Sequence, residues 1–305
     1  MTSERVLDSS PSLVPLFARS AAAIIPGSSR LPFLGGRGTE IPDLVLSLPS
    51  ASVQRERLAA YDRVCGFSLA DTLPPTYIHV LAFPLHLALM ADSRFPFGAI
   101  GLVHVANEIT QHRPVNVGET LSLRVSPSPL APHPRGQQFS LRTEARVGEE
   151  LVWVQLGTIL RRRGSGSSEQ SGGSASPPST PAVPLAGNAE LHATATWKLR
   201  GDLGRRYAAV SGDINPIHLH GLTGRLLGFP GAIAHGMWTK ARCLAALEGR
   251  LPDSFTVTVS FRRPIVLPAS VAFLEAPAPP DAGFEGLRFA VRDATPHLDG
   301  IVKFA

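Results

Sequence analysis

Residues 212–218 hold a carboxylate and an imidazole close together on a backbone that glycine and proline restrict. Their sequence is Gly-Asp-Ile-Asn-Pro-Ile-His. A residue that precedes proline is disfavoured in the α region, so Asn215 should be extended. Pro216 suits the first position of a short helical turn, which would carry His218 back toward Asp213. The two side chains would then share one site and form a pair suited to acid/base chemistry.

A second segment, residues 228–237, reads Gly-Phe-Pro-Gly-Ala-Ile-Ala-His-Gly-Met. Apolar residues recur after it at steps of three and four and predict a helix from about Gly236 to Gly249. They are Met237, Trp238, Ala241, Leu244, Ala245 and Leu247. The first N–H groups of a helix have no intrahelical partner and lie at the positive end of its dipole. The backbone N–H of Gly236 is therefore suited to stabilise a negatively charged oxygen.

Together the two segments resemble the signatures of the MaoC-like, or hydratase 2, family. The Gly-Asp-x-Asn-Pro-x-His core and its flanking Tyr207 and Ser211 have the family's spacing, and the second segment matches the block that begins the family's central helix. The resemblance is strong over residues 200–270 and weak over the amino-terminal half. His220 stands where many members have an acidic residue, and we expect this difference to affect the rim of the site rather than the chemistry.

This resemblance implies a hydro-lyase of fatty acid metabolism, which adds water to trans-2-enoyl thioesters or removes it from (3R)-3-hydroxyacyl thioesters. Hydration needs a base for water, an acid for the α-carbon and donors for the charge on the thioester oxygen. We assign the first two roles to Asp213 and His218, and the third to the backbone of Gly236. No metal or cofactor is expected, because the acyl-CoA or acyl carrier protein thioester already acidifies its α-carbon.

Five further residues are expected to support the site: Tyr207, Ser211, Gly212, Asn215 and His235. Tyr207 and Ser211 would either orient the loop or simply pack, and a histidine at a helix start, such as His235, is more often a packed or capping group than a catalyst. The Asp213 and Asn215 stretch alone would also suit an ordinary turn.

A metal site is an alternative use of the same histidines. It could be assembled from Asp213, His218, His220 and His235. The chain, however, lacks the paired, short-spaced ligands of the usual zinc sites. We therefore expect no metal.

The charge of the chain points to anionic partners. The 305 residues carry a net charge of +5, with a pI near 9.8. The basic residues are scattered, and 28 prolines and 28 glycines interrupt any long basic helix, so no nucleic-acid site is predicted. The phosphates of coenzyme A or an acidic acyl carrier protein fit the same sign. Basic residues near the motifs, which could meet these phosphates or lie on the solvated surface, are Arg205, Arg206, Arg225, Lys240, Arg242, Arg262 and Arg263.

Cysteine use and apolar patterning predict a cytoplasmic protein. Cys65 and Cys243 are the two cysteines of the chain and are expected to be buried and reduced. The amino terminus lacks the uninterrupted apolar core of a signal peptide. The longest apolar stretch, residues 77–91, is short for a membrane span and contains His79, Pro84 and His86.

Composition also divides the chain. Residues 164–188 are rich in glycine and serine and then in proline, which predicts a flexible linker. It separates an amino-terminal unit, residues 1–163, from a carboxyl-terminal unit, residues 189–305. Strands are predicted on either side of it, at Leu151–Leu160 and Glu190–Leu199.

The two units read as remote copies of each other. In each, an apolar helix is followed by a strand that ends at Arg-Pro, at residues 113–114 and 263–264, and by an alternating strand. A rival alignment pairs residues 95–100 with 229–233, but it places the helices on opposite sides. Combined with the resemblance, the repeat predicts an α+β double hot-dog fold, in which each unit wraps a curved antiparallel sheet around a long helix. The units would pair edge to edge as a monomeric pseudo-dimer, or the chain would form a homodimer.

The amino-terminal unit lacks the catalytic motif and carries Leu-Pro-Pro-Thr-Tyr at residues 73–77 instead. We therefore expect it to be non-catalytic and to bind the acyl chain. Apolar side chains that would line an acyl tunnel, or form ordinary core, are Val80, Leu81, Phe83, Leu85, Leu87, Ala88 and Leu89. Two alternatives to the dehydratase remain: an acyl-thioester binding module, including a structural partner in a dehydratase complex, and a thioesterase, which shares the hot-dog fold.

Overall fold

A computed structural model describes residues 3–22, 40–162 and 190–305. The linker predicted over residues 164–188 lies outside these ranges. Within them no helix is long and apolar enough to cross a membrane. The cytoplasmic location stays a prediction.

Twelve strands of the described residues form one continuous sheet. They are β1 (Ser3–Val6), β2 (Leu44–Ala51), β3 (Val103–Gln111), β4 (Leu121–Pro127), β5 (Ala131–His133), β6 (Gly136–Val147), β7 (Glu150–Arg162), β8 (His192–Leu199), β9 (Phe255–Phe261), β10 (Ala269–Pro277), β11 (Gly286–Arg292) and β12 (Pro296–Phe304). The strands predicted beside the linker are β7, which is slightly longer than predicted, and β8, which begins two residues later.

Seven α-helices and one short 3-10 helix accompany the sheet in the described ranges. They are α1 (Leu13–Ala22), α2 (Arg55–Cys65), α3 (Tyr77–Met90), α4 (Leu203–Ser211), α5 (Pro216–Leu219), α6 (Gly221–Leu226) and α7 (Gly236–Ala246), with the 3-10 helix at Pro280–Ala282. Helix α7 ends three residues before the predicted Gly249. The N–H of Leu247 bonds to the carbonyls of both Cys243 and Leu244, so the helix ends there in a tighter turn of the 3-10 type.

The order of strands joins two similar halves at their edges. It is β1-β2-β4-β6-β7-β3-β9-β12-β11-β10-β8, with β5 beside β6. Strands β3 and β9 pair antiparallel across the junction, where Ala106 lies opposite Ser260 and Gln111 opposite Phe255. This edge-to-edge pairing, with α3 and α7 as the apolar helices of the two halves, confirms the predicted double hot-dog.

The repeat has the alignment predicted from the Arg-Pro pairs. Helix α3 leads to β3, residues 113–114 and β4, whereas α7 leads to β9, residues 263–264 and β10. The rival alignment is wrong in this structure, because residues 95–100 follow their helix and residues 229–233 precede theirs.

One core runs through both halves and contains both cysteines. Cys65 and Cys243 are buried free thiols, as predicted. Burial raises the pKa of each thiol well above its ordinary value, which keeps them protonated. Lys240 is also buried in this core, although its side chain was expected at the surface or near phosphates.

Candidate active site

The motif loop has the predicted backbone. Helix α4 ends at Ser211, and Gly212 follows with φ of +82°, a left-handed conformation that glycine adopts readily. Asn215 is extended, with φ of −55° and ψ of 125°, and its Oδ1 accepts from Ile217 N at 3.5 Å. Pro216 is the first residue of α5. The loop therefore turns back on itself between Asp213 and His218.

Asp213 is anchored through its own backbone and one carboxylate oxygen. Its N–H donates to Ser211 Oγ at 3.2 Å, and that hydroxyl donates to the carbonyl of Tyr207 at 2.8 Å. Asp213 Oδ1 accepts from Asn215 N at 3.1 Å. The carboxylate is thus oriented by Ser211 and Asn215 while its side chain remains 27% exposed toward the cavity.

A single backbone carbonyl fixes the tautomer of His218. Its Nδ1 lies 2.8 Å from the carbonyl oxygen of Ile233. Because a carbonyl only accepts, Nδ1 carries the proton and Nε2 keeps a lone pair. Burial lowers the pKa of His218, and the nearby Asp213 carboxylate opposes part of that shift. The ring is therefore a neutral base beside a carboxylate.

His235 supports both members of the pair. Its ring stacks on that of His218, with centroids 3.6 Å apart and planes 22° from parallel. Its Nε2 donates to the backbone carbonyl of Asp213 at 3.0 Å and lies 3.8 Å from Asp213 Oδ2. Burial first and His218 second lower the pKa of His235 well below the ordinary value, so its ring is neutral too.

Gly236 is the first residue of α7, and the N-cap residue His235 makes no side-chain cap bond. The N–H groups of the first helical turn have no intrahelical partner. A Cβ at residue 236 would lie 3.1 Å from the ring of Phe261, which explains the need for a small residue here. Gly236 also lines the cavity, so the amino terminus of α7 lies beside the histidine pair.

Tyr207 packs rather than reaching the reacting groups. It is 2% exposed, and its ring centroid lies 4.8 Å from that of His235 and 6.1 Å from that of Tyr61. Burial raises its pKa well above the ordinary value. Its contribution to the site is the wall behind His235 and the carbonyl that orients Ser211.

One cavity of about 260 Å³ unites the two halves at this site. The carboxyl-terminal half contributes Asp213, His218 and Gly236 to its wall, and the amino-terminal half contributes one face of α3. Of the seven apolar side chains predicted for a tunnel, Val80, Phe83 and Leu87 line the cavity. Leu85 and Leu89 are fully buried core residues instead.

Several polar residues of this cavity were not predicted as site residues, among them three histidines of the amino-terminal half. His79 and His86 were noted only as interruptions of an apolar stretch, and His104 was not singled out. The sequence signal for His79 and His86 was their seven-residue spacing, which places both rings on one face of a helix.

Asp213, His218 and His235 each offer a ligand atom within 4.8 Å of one another, so this trio could hold a metal ion. His220 is exposed and does not join them. The nearly parallel stack of the two rings directs their in-plane lone pairs along parallel planes rather than to one point, which is poor geometry for a tetrahedral ion. The absence of a metal in catalysis stays a prediction.

The basic residues near the motifs differ in their positions. Arg262 and Arg263 line the cavity, together with Arg135 and Arg162 of the other half. Lys240 is fully buried and donates to Asn107 O, Asn107 Oδ1 and Val257 O, so it connects the two halves and cannot meet a phosphate. Burial lowers its pKa well below the ordinary value.

Known proteins resemble this chain along most of its length. Residues 187–274 match the MaoC like domain family. The chain is 33% identical over 293 residues to 3-hydroxyacyl-thioester dehydratase X of Mycobacterium tuberculosis, with 96% of this chain and 98% of the relative covered. A crystal structure of HtdX from Mycobacterium tuberculosis has a TM-score of 0.71 at 32% identity, over 86% of this chain and 100% of that chain. A double hotdog protein of the same organism, at 14% identity and a TM-score of 0.53 over 84% of this chain and 93% of that one, is similar in fold alone.

Proposed function

Because the chain belongs to the MaoC-like, or hydratase 2, family, we propose that it catalyses the reversible dehydration of (3R)-3-hydroxyacyl thioesters to trans-2-enoyl thioesters. The observation that carries this proposal is the meeting of Asp213, His218 and the amino terminus of α7 at Gly236 on one cavity. The name of the 33%-identical relative, a 3-hydroxyacyl-thioester dehydratase, supports the same reaction.

In the hydration direction, a water molecule binds between the Asp213 carboxylate and His218 Nε2. The pair takes a proton from this water while its oxygen attacks C3, and the electron pair of the C2=C3 bond moves toward the thioester oxygen. The pair then returns a proton to C2. We assign the proton transfers to the two residues together, because a carboxylate oxygen of Asp213 and a ring nitrogen of His218 lie within 4.8 Å of each other. Dehydration is the same sequence reversed.

The backbone N–H of Gly236 stabilises the enolate oxygen that forms in this step. It lies at the positive end of α7, where an oxyanion is favoured both by the unpaired N–H and by the helix dipole. The Phe261 ring lies directly beside residue 236 and gives this part of the cavity an apolar wall. Such a preorganised donor needs no reorganisation during the reaction.

The amino-terminal half binds the acyl chain and supplies no catalytic group in this proposal. Val80, Phe83 and Leu87 of α3 form an apolar wall opposite the motif loop. Four arginines of the cavity wall, Arg135, Arg162, Arg262 and Arg263, match the phosphates of coenzyme A or of a carrier protein's pantetheine. Arg262 is partly neutralised by Asp299, 2.7 Å away.

The test is the loss of enoyl-thioester ultraviolet absorbance when the protein is mixed with crotonyl-CoA and then with a longer trans-2-enoyl-CoA. We expect conversion to the (3R)-3-hydroxyacyl-CoA, identified by chiral analysis. Release of free thiol, measured with a thiol-reactive dye, would instead identify a thioesterase. Binding of acyl-CoA without any conversion would identify a binding module.

A further inference from the structure

Three histidines of the amino-terminal half, His79, His86 and His104, line the same cavity as Asp213 and His218, and we refer to them as the histidine cluster. His79 and His86 lie on α3, and His104 on β3. The His79 ring centroid is 5.3 Å from that of His86 and 6.4 Å from that of His104. None of the three has a role in the proposed reaction.

Hydrogen bonds to the protein use only part of what these rings offer. His79 Nδ1 donates to Gln155 Oε1 at 3.0 Å, which leaves Nε2 with a lone pair. His86 Nε2 bonds to Thr143 Oγ1 at 2.7 Å. His104 Nε2 is buried and has no hydrogen-bond partner among the described residues. That nitrogen is sealed beside Gly157, so the unused lone pair that the cluster offers to the cavity is the one on His79 Nε2.

The cluster is uncharged. Burial lowers the pKa of His79 to about 4 and that of His104 to about 3, and it lowers the pKa of His86 well below the ordinary value. The charged groups that act on it are Asp213, which raises the pKa of His79, and Lys240, which lowers the pKa of His79 and His104. Neutral rings suit an uncharged hydrogen-bonding group rather than a carboxylate or a phosphate.

A plain alkyl chain is a poor binding partner for the polar ring nitrogen that faces this cavity. Val80, Phe83, Leu87 and Ile159 line the same cavity. A buried polar group left without a hydrogen bond costs about 1–3 kcal/mol. An alkyl chain packed against His79 would leave its Nε2 without a hydrogen bond, whereas a chain with one hydroxyl group could donate to that nitrogen.

The position of the cluster places it along the acyl chain. A Cβ at residue 236 would lie 3.1 Å from the Phe261 ring, and the centroid of that ring lies 5.3 Å from that of His104. Phe261 is thus a neighbour both of the proposed oxyanion site and of the cluster, which places the cluster within reach of an acyl chain whose thioester oxygen lies at Gly236.

We propose that the histidine cluster is a subsite for a hydroxyl group carried by the acyl chain beyond C3. The substrate class is then acyl thioesters with an oxygenated chain. This assignment rests on the proposed function for the identity of the thioester, but its test does not depend on turnover.

The experiment compares dissociation constants by calorimetry for decanoyl-CoA and for decanoyl-CoA that bears one hydroxyl group at C6, C8 or C10. These saturated esters do not react, so binding is measured even if crotonyl-CoA is not hydrated, and the two proposals fail separately. We expect at least one hydroxylated ester to bind about tenfold or more tightly than decanoyl-CoA, the equivalent of one additional hydrogen bond.

The ratio of the two dissociation constants should fall toward one in His79→Leu, and His79→Gln, which keeps a polar side chain, should keep part of it. Both dissociation constants of a ratio are measured on the same protein sample, so a fraction of unfolded variant does not change the ratio. His192→Leu, an exposed histidine on β8, should keep the full ratio. Equal or weaker binding of every hydroxylated ester in the wild type, or a ratio that survives in His79→Leu, would overturn the assignment.

Discussion

The imidazole rings of His218 and His235 stack with their centroids 3.6 Å apart, while His235 Nε2 donates to the backbone carbonyl of Asp213. One residue thus fixes the ring of one member of the acid/base pair and the backbone of the other. The remaining nitrogen of His218, Nε2, is left for the reacting water because Nδ1 is used by the carbonyl of Ile233.

Removing either member of the pair should abolish most turnover. We predict that Asp213→Asn and His218→Gln each lower kcat for hydration ~10²–10⁴-fold, the range for losing a positioned acid or base. KM should change far less, because neither group binds the acyl chain. Two residues near the motif provide controls: His220, which is exposed, and Asp202, which is half-buried and pairs with Arg200. His220→Gln and Asp202→Asn should keep wild-type rates. Wild-type turnover in either pair variant would exclude the assignment.

The role of the Gly236 N–H can be separated from the space around it. Gly236→Pro removes the donor at the first position of α7, where proline is tolerated and the preceding His235 is already extended. We predict a fall in kcat of ~10²–10³-fold, the usual effect of losing one oxyanion donor. Gly236→Ala keeps the N–H but meets the Phe261 ring in the same way. Equal rates for the two variants would show that sterics, not the donor, set the effect.

His235 should act through position rather than through its own proton. His235→Phe keeps an aromatic ring for the stack on His218 and removes the donor to the carbonyl of Asp213. Leaving a buried carbonyl unpaired costs about 1–3 kcal/mol, so we expect kcat to fall on the order of tenfold. His235→Gln, which can still donate, should recover part of the rate. Unchanged kinetics in His235→Phe would reduce this residue to packing.

The pH profile should follow the lowered pKa of His218. Burial disfavours the charged ring, so His218 stays neutral to a more acidic pH than an ordinary histidine, with its value of 6.5. Activity is therefore present above the lowered pKa and is lost as the pH falls through it. We expect the acid limb of kcat/KM for crotonyl-CoA hydration to lie below pH 6.5. A limb above that value would contradict a neutral, desolvated His218.

The fold and the backbone of the motif loop could be predicted from the sequence because both depend on patterns of residues that lie close together in the chain. The extended Asn215, the proline at the start of α5 and the left-handed Gly212 follow from local backbone preferences, and the Arg-Pro pairs marked equivalent strand ends. The helical period placed α7 correctly except for its last turn.

What the sequence could not predict depends on contacts between distant segments. Lysine is usually a surface residue, yet Lys240 is buried against Asn107, which lies 133 positions away in the sequence. Some side chains of α3 line the cavity and others lie in the core, and this division depends on how the two halves pack against each other. The electrostatic effect of Asp213 on the pKa of His79 depends on the same packing. No local pattern contains that information.

The most direct test of the central claim is kcat for crotonyl-CoA hydration by the double variant Asp213→Asn/His218→Gln beside the two single variants. Groups that act as one unit are strongly non-additive. If the pair handles a single proton, the double variant should lose no more than about the larger of the two single losses. A loss equal to the product of the two would show that Asp213 and His218 act independently and would contradict the proposed mechanism.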